Sequence, residues 1–149
     1  MRELILMRHA EAATGDLTAE DFQRPLTSNG QAAAIRAARA LLVERGLPDR
    51  ILCSPSLRTL TTAQLMQQTM NLPVGHIATD NLIYLASGKA LRRVLAMTDS
   101  SVTRLLLVGH NPGVSQLLTN LSSAHRSLAT AEYACLPLPI SGWSELDLP

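Results

Sequence analysis

The chain has 149 residues, enough for one domain over residues 1–149 that buries roughly 70% of the surface its unfolded form exposes. Its 13 Lys and Arg against 12 Asp and Glu leave a formal net charge of +1. There is no basic run or stripe, since Arg36, Arg39 and Arg45 are spread along one predicted helix, so nucleic acid is not an expected partner. No stretch approaches the roughly 20 apolar residues of a membrane span. The first apolar run is too short for a signal-peptide core and is followed by charge, so the expected location is the cytoplasm, with no membrane partner.

Leu4 to Met7 is continuously apolar and predicts a strand buried on both faces. The polar stretch from Glu11 to Gln23 predicts a loop. Arg24-Pro25-Leu26 is extended, because the residue before proline avoids the helical region. Thr27 or Ser28 then caps a helix that runs through Gln31-Ala32-Ala33-Ala34-Ile35 to about Glu44 and ends at Gly46, with Pro48 beyond. Arg50 to Cys53 is a second short strand. Ser54-Pro55 opens the next helix, serine as cap and proline in first position, and that helix reaches toward Met70. A weak third strand lies near His76 to Ala78, and a helix follows from about Lys89 to Met97. Arg104 to Val108 is the clearest buried strand. Asn111-Pro112 starts a helix with Val114, Leu117, Leu118 and Leu121 on one face. The tail predicts two strands, Glu132 to Leu138 and Trp143 to Leu148. Strands alternating with helices imply an α/β three-layer sandwich, a mostly parallel central sheet with helices on both sides. Cys53 and Cys135 form no metal motif and are expected to be reduced, buried thiols; a reactive thiol at Cys53 is the lesser reading.

Three of these strands end in groups able to carry positive charge. Arg8-His9 follows the first, Arg58 lies in the first turn of the helix after the second, and His110 follows the fourth. Ligands of open α/β sheets bind beyond the carboxyl ends of the strands. Helix N-termini there add oriented N–H groups and partial positive charge. Gly109 is expected to let the backbone approach a ligand, and Asn111-Pro112-Gly113 to shape the turn. Each residue alone reads as a packed histidine or a surface arginine. Their coincidence at one rim reads as an oxyanion site.

Arg8-His9-Ala10, Ser54-Pro55 with Arg58, Gly109-His110-Asn111-Pro112-Gly113, and Arg24-Pro25-Leu26-Thr27 followed by Asn29-Gly30 resemble the histidine phosphatase superfamily, the phosphoglycerate mutase-like fold. Their order is similar to that of its short branch of SixA-type phosphohistidine phosphatases. One departure is Ala10, where the larger family commonly has glycine; alanine is tolerated there unless the backbone needs a positive φ. The resemblance implies that His9 is a nucleophile forming a phosphohistidine intermediate, which water hydrolyses. It implies that Arg8 and Arg58 hold the phosphoryl oxygens through fork-shaped donors, with His110 completing the catalytic set. Arg24 and Asn111 are assigned to substrate binding, and an ion pair with Asp21 or Glu20 is the alternative for Arg24. Glu11 reads as a solvated or paired loop carboxylate. No cofactor and no metal are expected, because positioning and charge stabilisation suffice for phosphoryl transfer; zinc on His9 and His110 is disfavoured by the arginines.

Larger members of the family place a carboxylic acid between the second arginine and the second histidine. Here that interval offers Asp80, with Asn81 or Tyr84 where a glutamate is expected. It is also too short for a helical lid, which disfavours a mutase. An open, acid-poor site points to a labile P–N bond, and so to phosphohistidine on a protein partner. The alternatives are a small phosphoester as substrate, with Asp80 or Asp16 as acid, or a regulatory module that binds phosphate without turnover. The sequence carries no reading of oligomeric state.

Overall fold

The structure is a computed structural model that describes residues 1–14 and 20–147. Five strands form one sheet: β1 (Arg2–Arg8), β2 (Arg50–Cys53), β3 (Ile77–Thr79), β4 (Arg104–Gly109) and β5 (Tyr133–Leu138). Their spatial order is β3-β2-β4-β1-β5. All neighbours run parallel except β5, which lies antiparallel on β1. Four helices connect them: α1 (Ser28–Glu44), α2 (Leu57–Thr69), α3 (Gly88–Ala96) and α4 (Gly113–Ser122).

Side chains alternate across a strand, so each central strand feeds two cores. Ile5 and Met7 of β1, Leu106 and Val108 of β4, and Ile51 and Cys53 of β2 face α1 and α2, meeting Ala37, Ala38, Leu41, Ala63 and Met66. Leu4, Leu6, Leu105 and Leu107 face the other way, toward Leu91, Val94 and Leu95 of α3 and Val114, Leu117 and Leu118 of α4. Both layers cover the sheet, as the continuous apolar runs require.

Local signals set most boundaries. The Thr27 hydroxyl accepts the Gly30 amide and caps α1. Gly46 follows that helix at φ 83°, where a side chain is strained. Gly30 and Gly113 sit where chains nearly touch: a Cβ would lie 2.1 Å from the Glu11 carbonyl oxygen and 2.0 Å from that of Ala86, respectively.

Three expectations need correction. α2 begins at Leu57, not Pro55: the Ser54 hydroxyl accepts the Ser56 amide and holds a turn ahead of the helix. α4 begins at Gly113 rather than Asn111. The expected last strand is a 3-10 helix over Trp143–Asp147. There the Trp143 ring is buried with its indole N–H donating to the Val102 carbonyl (2.7 Å), and Glu145 accepts the Ser141 and Gly142 amides. Leu148 lies outside the described residues. The side of Gly109 that a Cβ would occupy faces Val114, whose Cγ1 would lie 2.9 Å away. No helix among the described residues is long and apolar enough to cross a membrane.

Candidate active site

β2, β4 and β1 are adjacent, so the residues after their carboxyl ends share one rim. His9 leaves β1 with its amide bonded to the Gly109 carbonyl (3.0 Å). The Ala131 amide lies 3.1 Å from both the Arg8 and the His9 carbonyls and ties this bend to the start of β5. The Thr62 hydroxyl accepts the Ala10 amide (3.1 Å) and donates to the Arg58 carbonyl (2.7 Å), which locks the β1 bend to α2. Ala10 is fully buried and is not among the positive-φ residues, so its methyl costs nothing where the family commonly has glycine.

The two imidazoles lie with ring centroids 5.5 Å apart. His9 Nδ1 is 2.7 Å from the Ala10 carbonyl oxygen. A carbonyl only accepts, so Nδ1 carries the proton and Nε2 carries the lone pair. His110 Nδ1 is 3.2 Å from Arg58 Nη2. A guanidinium only donates, so here Nδ1 accepts and Nε2 carries the proton. Burial, reinforced by the charges of Arg58, Arg8 and Arg24, pulls the His9 pKa down to about 4 against the hydrogen bond to Ala10. Burial and then Arg58 pull His110 to about 3. Both rings are neutral at pH 7.

Arg58 is 2% exposed. Its Nη1 donates to the Asp21 carbonyl (2.7 Å) and its Nη2 to Asp21 Oδ2 (3.0 Å). Both terminal nitrogens of the fork expected to grip a phosphoryl group are therefore already bonded to Asp21, with one Nη1 hydrogen left. Arg58 Nε, Arg8 Nε and His110 Nε2 are buried and have no hydrogen-bond partner among the described residues. Unpaired buried donors of this kind are costly, and an anion is the chemistry that would satisfy them.

Arg8 Nη1 reaches the Leu128 carbonyl at 3.4 Å. Asn111, expected to touch substrate, donates to that same carbonyl (2.8 Å) and accepts the Ser115 hydroxyl (2.6 Å), so its amide fastens the 128 segment instead. Arg24 makes the ion pair with Asp21 (3.1 Å) and donates to the Ala13 carbonyl (3.0 Å), while its charge still reaches both histidines.

Sequence reasoning weighed Asp21 only as a partner of Arg24 and Tyr84 only in place of an acid. The structure joins them: the Tyr84 hydroxyl donates to Asp21 Oδ2 at 2.5 Å. That bond, with the Arg58 and Arg24 contacts, holds the Asp21 carboxyl at about 2, so it is ionised at neutral pH. Asp80 caps a 3-10 helix over Asn81–Ile83 through the Leu82 amide (2.8 Å). Glu11 accepts the Thr27 hydroxyl. Asp16 lies outside the described residues. Cys53 is buried in β2, where burial pushes its thiol up to about 12, which removes it as a nucleophile.

Residues 4–83 match the sequence profile of the histidine phosphatase superfamily (branch 1). The chain belongs to this superfamily. It is 30% identical over 120 residues to the phosphohistidine phosphatase SixA of Escherichia coli, covering 80% of this chain and 73% of that protein. The crystal structure of a putative phosphohistidine phosphatase SixA from Agrobacterium tumefaciens superposes with a TM-score of 0.83 at 27% identity, over 93% of this chain and 92% of that one. A protein histidine phosphatase SixA solved with tungstate superposes at 0.81 and 26% identity, over 91% and 88%. The α/β sandwich is thus the phosphoglycerate mutase-like fold in its SixA-type form, and the stretch from Arg58 to His110 is spent on α2, β3, α3, β4 and short turns.

Proposed function

We propose that this member of the superfamily is a phosphohistidine phosphatase with His9 as its nucleophile. The observation that carries the proposal is the placement of the two rings, His9 Nδ1 on the Ala10 carbonyl and His110 Nδ1 on Arg58, which sets opposed tautomers. One offers a lone pair where the other offers a proton, beside two buried arginine N–H groups that have no partner among the described residues. His9 Nε2 attacks phosphorus and the bond to the leaving group breaks. The Nε–H groups of Arg8 and Arg58 and the Nε2–H of His110 take the phosphoryl oxygens. Water then cleaves the phosphohistidine, returning phosphate and neutral His9.

The carboxylates near the rim are committed elsewhere. Asp21 is ionised and held by three donors, and Asp80 is a cap. With no positioned acid among the described residues, an oxygen leaving group is poorly served. An imidazole leaving group takes its proton from solvent. That favours a phosphohistidine side chain on a protein over a small phosphoester, and the SixA relatives support the same substrate class. The thiols Cys53 and Cys135 are free, which fits the reducing cytoplasm.

The test is to incubate the protein with a phosphohistidine-bearing protein and with an aryl phosphate. Fast release of phosphate from the first and slow release from the second is the expected result. Tight phosphate binding with turnover of neither means a binding module; equal turnover of both means a small-molecule phosphatase.

A further inference from the structure

We propose that Asp21 and Tyr84 form a clamp that positions Arg58 and, through it, keeps the proton of His110 on Nε2. The kinetic part of this inference rests on the phosphatase reading; the protonation part does not.

Asp21 gathers more donors than any solvated loop carboxylate needs. Arg24 Nε binds Oδ1 at 3.1 Å, and Arg58 Nη2 (3.0 Å) and the Tyr84 hydroxyl (2.5 Å) share Oδ2. Its own carbonyl takes Arg58 Nη1 at 2.7 Å. These partners lie 3, 37 and 63 residues away in sequence, so only the folded chain assembles them. The Tyr84 ring is held edge-on by Phe22, next to Asp21 (centroids 5.1 Å), and meets His110 edge-on at 5.4 Å. The phenol therefore touches the clamp at its base and the catalytic ring at its end.

Counting hydrogens shows the consequence. A guanidinium has five N–H donors in a fixed plane. On Arg58, Nη2 spends both of its hydrogens, one on Asp21 and one on His110 Nδ1, and Nη1 spends one on the Asp21 carbonyl. The plane is thereby fixed; one Nη1 hydrogen and Nε–H are left over, and Nε has no partner among the described residues. Two of the three anchors belong to Asp21. Replacing its side chain removes the carboxylate anchor and leaves the backbone carbonyl, so Nη2 keeps only His110 and the guanidinium is free to turn about the Nη1–carbonyl bond. His110 Nδ1 then no longer faces an obligate donor, and nothing selects the Nε2–H form.

The test uses 15N-histidine protein without ligand, with the His110 signals assigned by their disappearance in His110→Asn. Long-range 1H–15N spectra of the wild type should show His110 protonated on Nε2 only. Asp21→Ala should give a mixture of both tautomers, and Tyr84→Phe, which deletes one hydroxyl, a smaller shift in the same direction. Turnover of a phosphohistidine protein should fall in kcat by ~10- to 100-fold for Asp21→Ala, the usual loss when a group that orients an active-site residue is removed, with a smaller fall for Tyr84→Phe. An Nε2-only His110 in both variants overturns the clamp, whatever the protein's activity proves to be. A mixed tautomer accompanied by wild-type kcat overturns the kinetic part and leaves the protonation part standing. If Asp21→Ala does not fold, Tyr84→Phe decides alone: an unchanged His110 spectrum there sinks the proposal.

Discussion

His9 and His110, 5.5 Å apart, carry their protons on opposite nitrogens because one ring faces a carbonyl and the other a guanidinium. The pair is asymmetric before any substrate arrives, and this makes their replacements inequivalent. His9→Ala should abolish turnover yet keep weak binding of phosphate or vanadate, since both arginines and His110 remain. An acid-free quench of wild type should trap phosphate on His9, labile in acid and stable in base. Appreciable turnover by His9→Ala would show that another group attacks phosphorus.

The depressed imidazole pKa values set two pH profiles. Attack needs neutral His9, whose pKa lies near 4, so kcat/KM should hold level from pH 7 down to about pH 5 and fall only toward pH 4. An ordinary histidine would lose activity from about pH 6.5. Stability responds over the range where activity holds level. Between the unfolded value of about 6.5 and the folded values, the unfolded chain binds more protons, so stability drops as pH falls, by about 2 kcal/mol per imidazole at pH 5. Asp21 does not offset this, because its lowered pKa stabilises the fold throughout that window and is lost only in stronger acid. Urea melts at pH 7 and pH 5 check the sign, and His9→Asn should flatten the difference.

Arg58→Lys keeps the charge and loses the geometry. An ammonium cannot hold the Asp21 carbonyl, the Asp21 carboxylate and His110 in one plane while presenting a further donor to substrate. The expected loss is ~100- to 1,000-fold in kcat. Near-wild-type kinetics would make Arg58 a structural residue only.

Substrate ranking checks the missing acid. Specificity constants should order phosphohistidine first, aryl phosphate far behind and alkyl phosphate last, because a positioned acid is normally worth ~100- to 10,000-fold. Asp80→Asn should change none of them, as asparagine caps as well as aspartate. Alkyl phosphates matching phosphohistidine, with activity destroyed in Asp80→Asn, would place an acid at Asp80 after all.

Gly113→Ala should unfold the protein earlier. Its Cβ would fall 2.0 Å from the Ala86 carbonyl oxygen, forcing the turn after Tyr84 away from α4 at a cost of about 1–3 kcal/mol. Thermal melts beside Gly75→Ala, where a Cβ meets nothing within 4 Å, separate that collision from any general effect of replacing glycine.

What the sequence made legible was whatever local chemistry decides. The runs Leu4 to Met7 and Leu105 to Val108 are apolar without alternation because both faces are covered, and they announced buried parallel strands. Thr27 and Gly46 marked α1 because capping acts within a few residues. The rim followed from strands that end in Arg8-His9 and His110. The Asp21 clamp was not legible: its partners meet across 37 and 63 residues, and no spacing rule links them. Nor was the work of Asn111, which depends on where the Leu128 carbonyl lands. The tail misled for a similar reason. Trp143 to Leu148 is apolar enough for a strand, yet the Trp143 ring finds its place under α3 and β4, and the backbone coils to deliver it.

β1 carries the proposed nucleophile at its end, and both of its partners arrive late. Leu4 pairs with Leu105 on one side and Leu136 on the other. At a synthesis rate of about 5–20 residues per second, β1 leaves the ribosome roughly 5–20 s before β4 can join it. Through that interval Leu4-Ile5-Leu6-Met7 is a bare, uncharged, strand-forming tetrapeptide. The segment that ends at the proposed reaction centre is thus also one that waits unpaired until both of its neighbours are made.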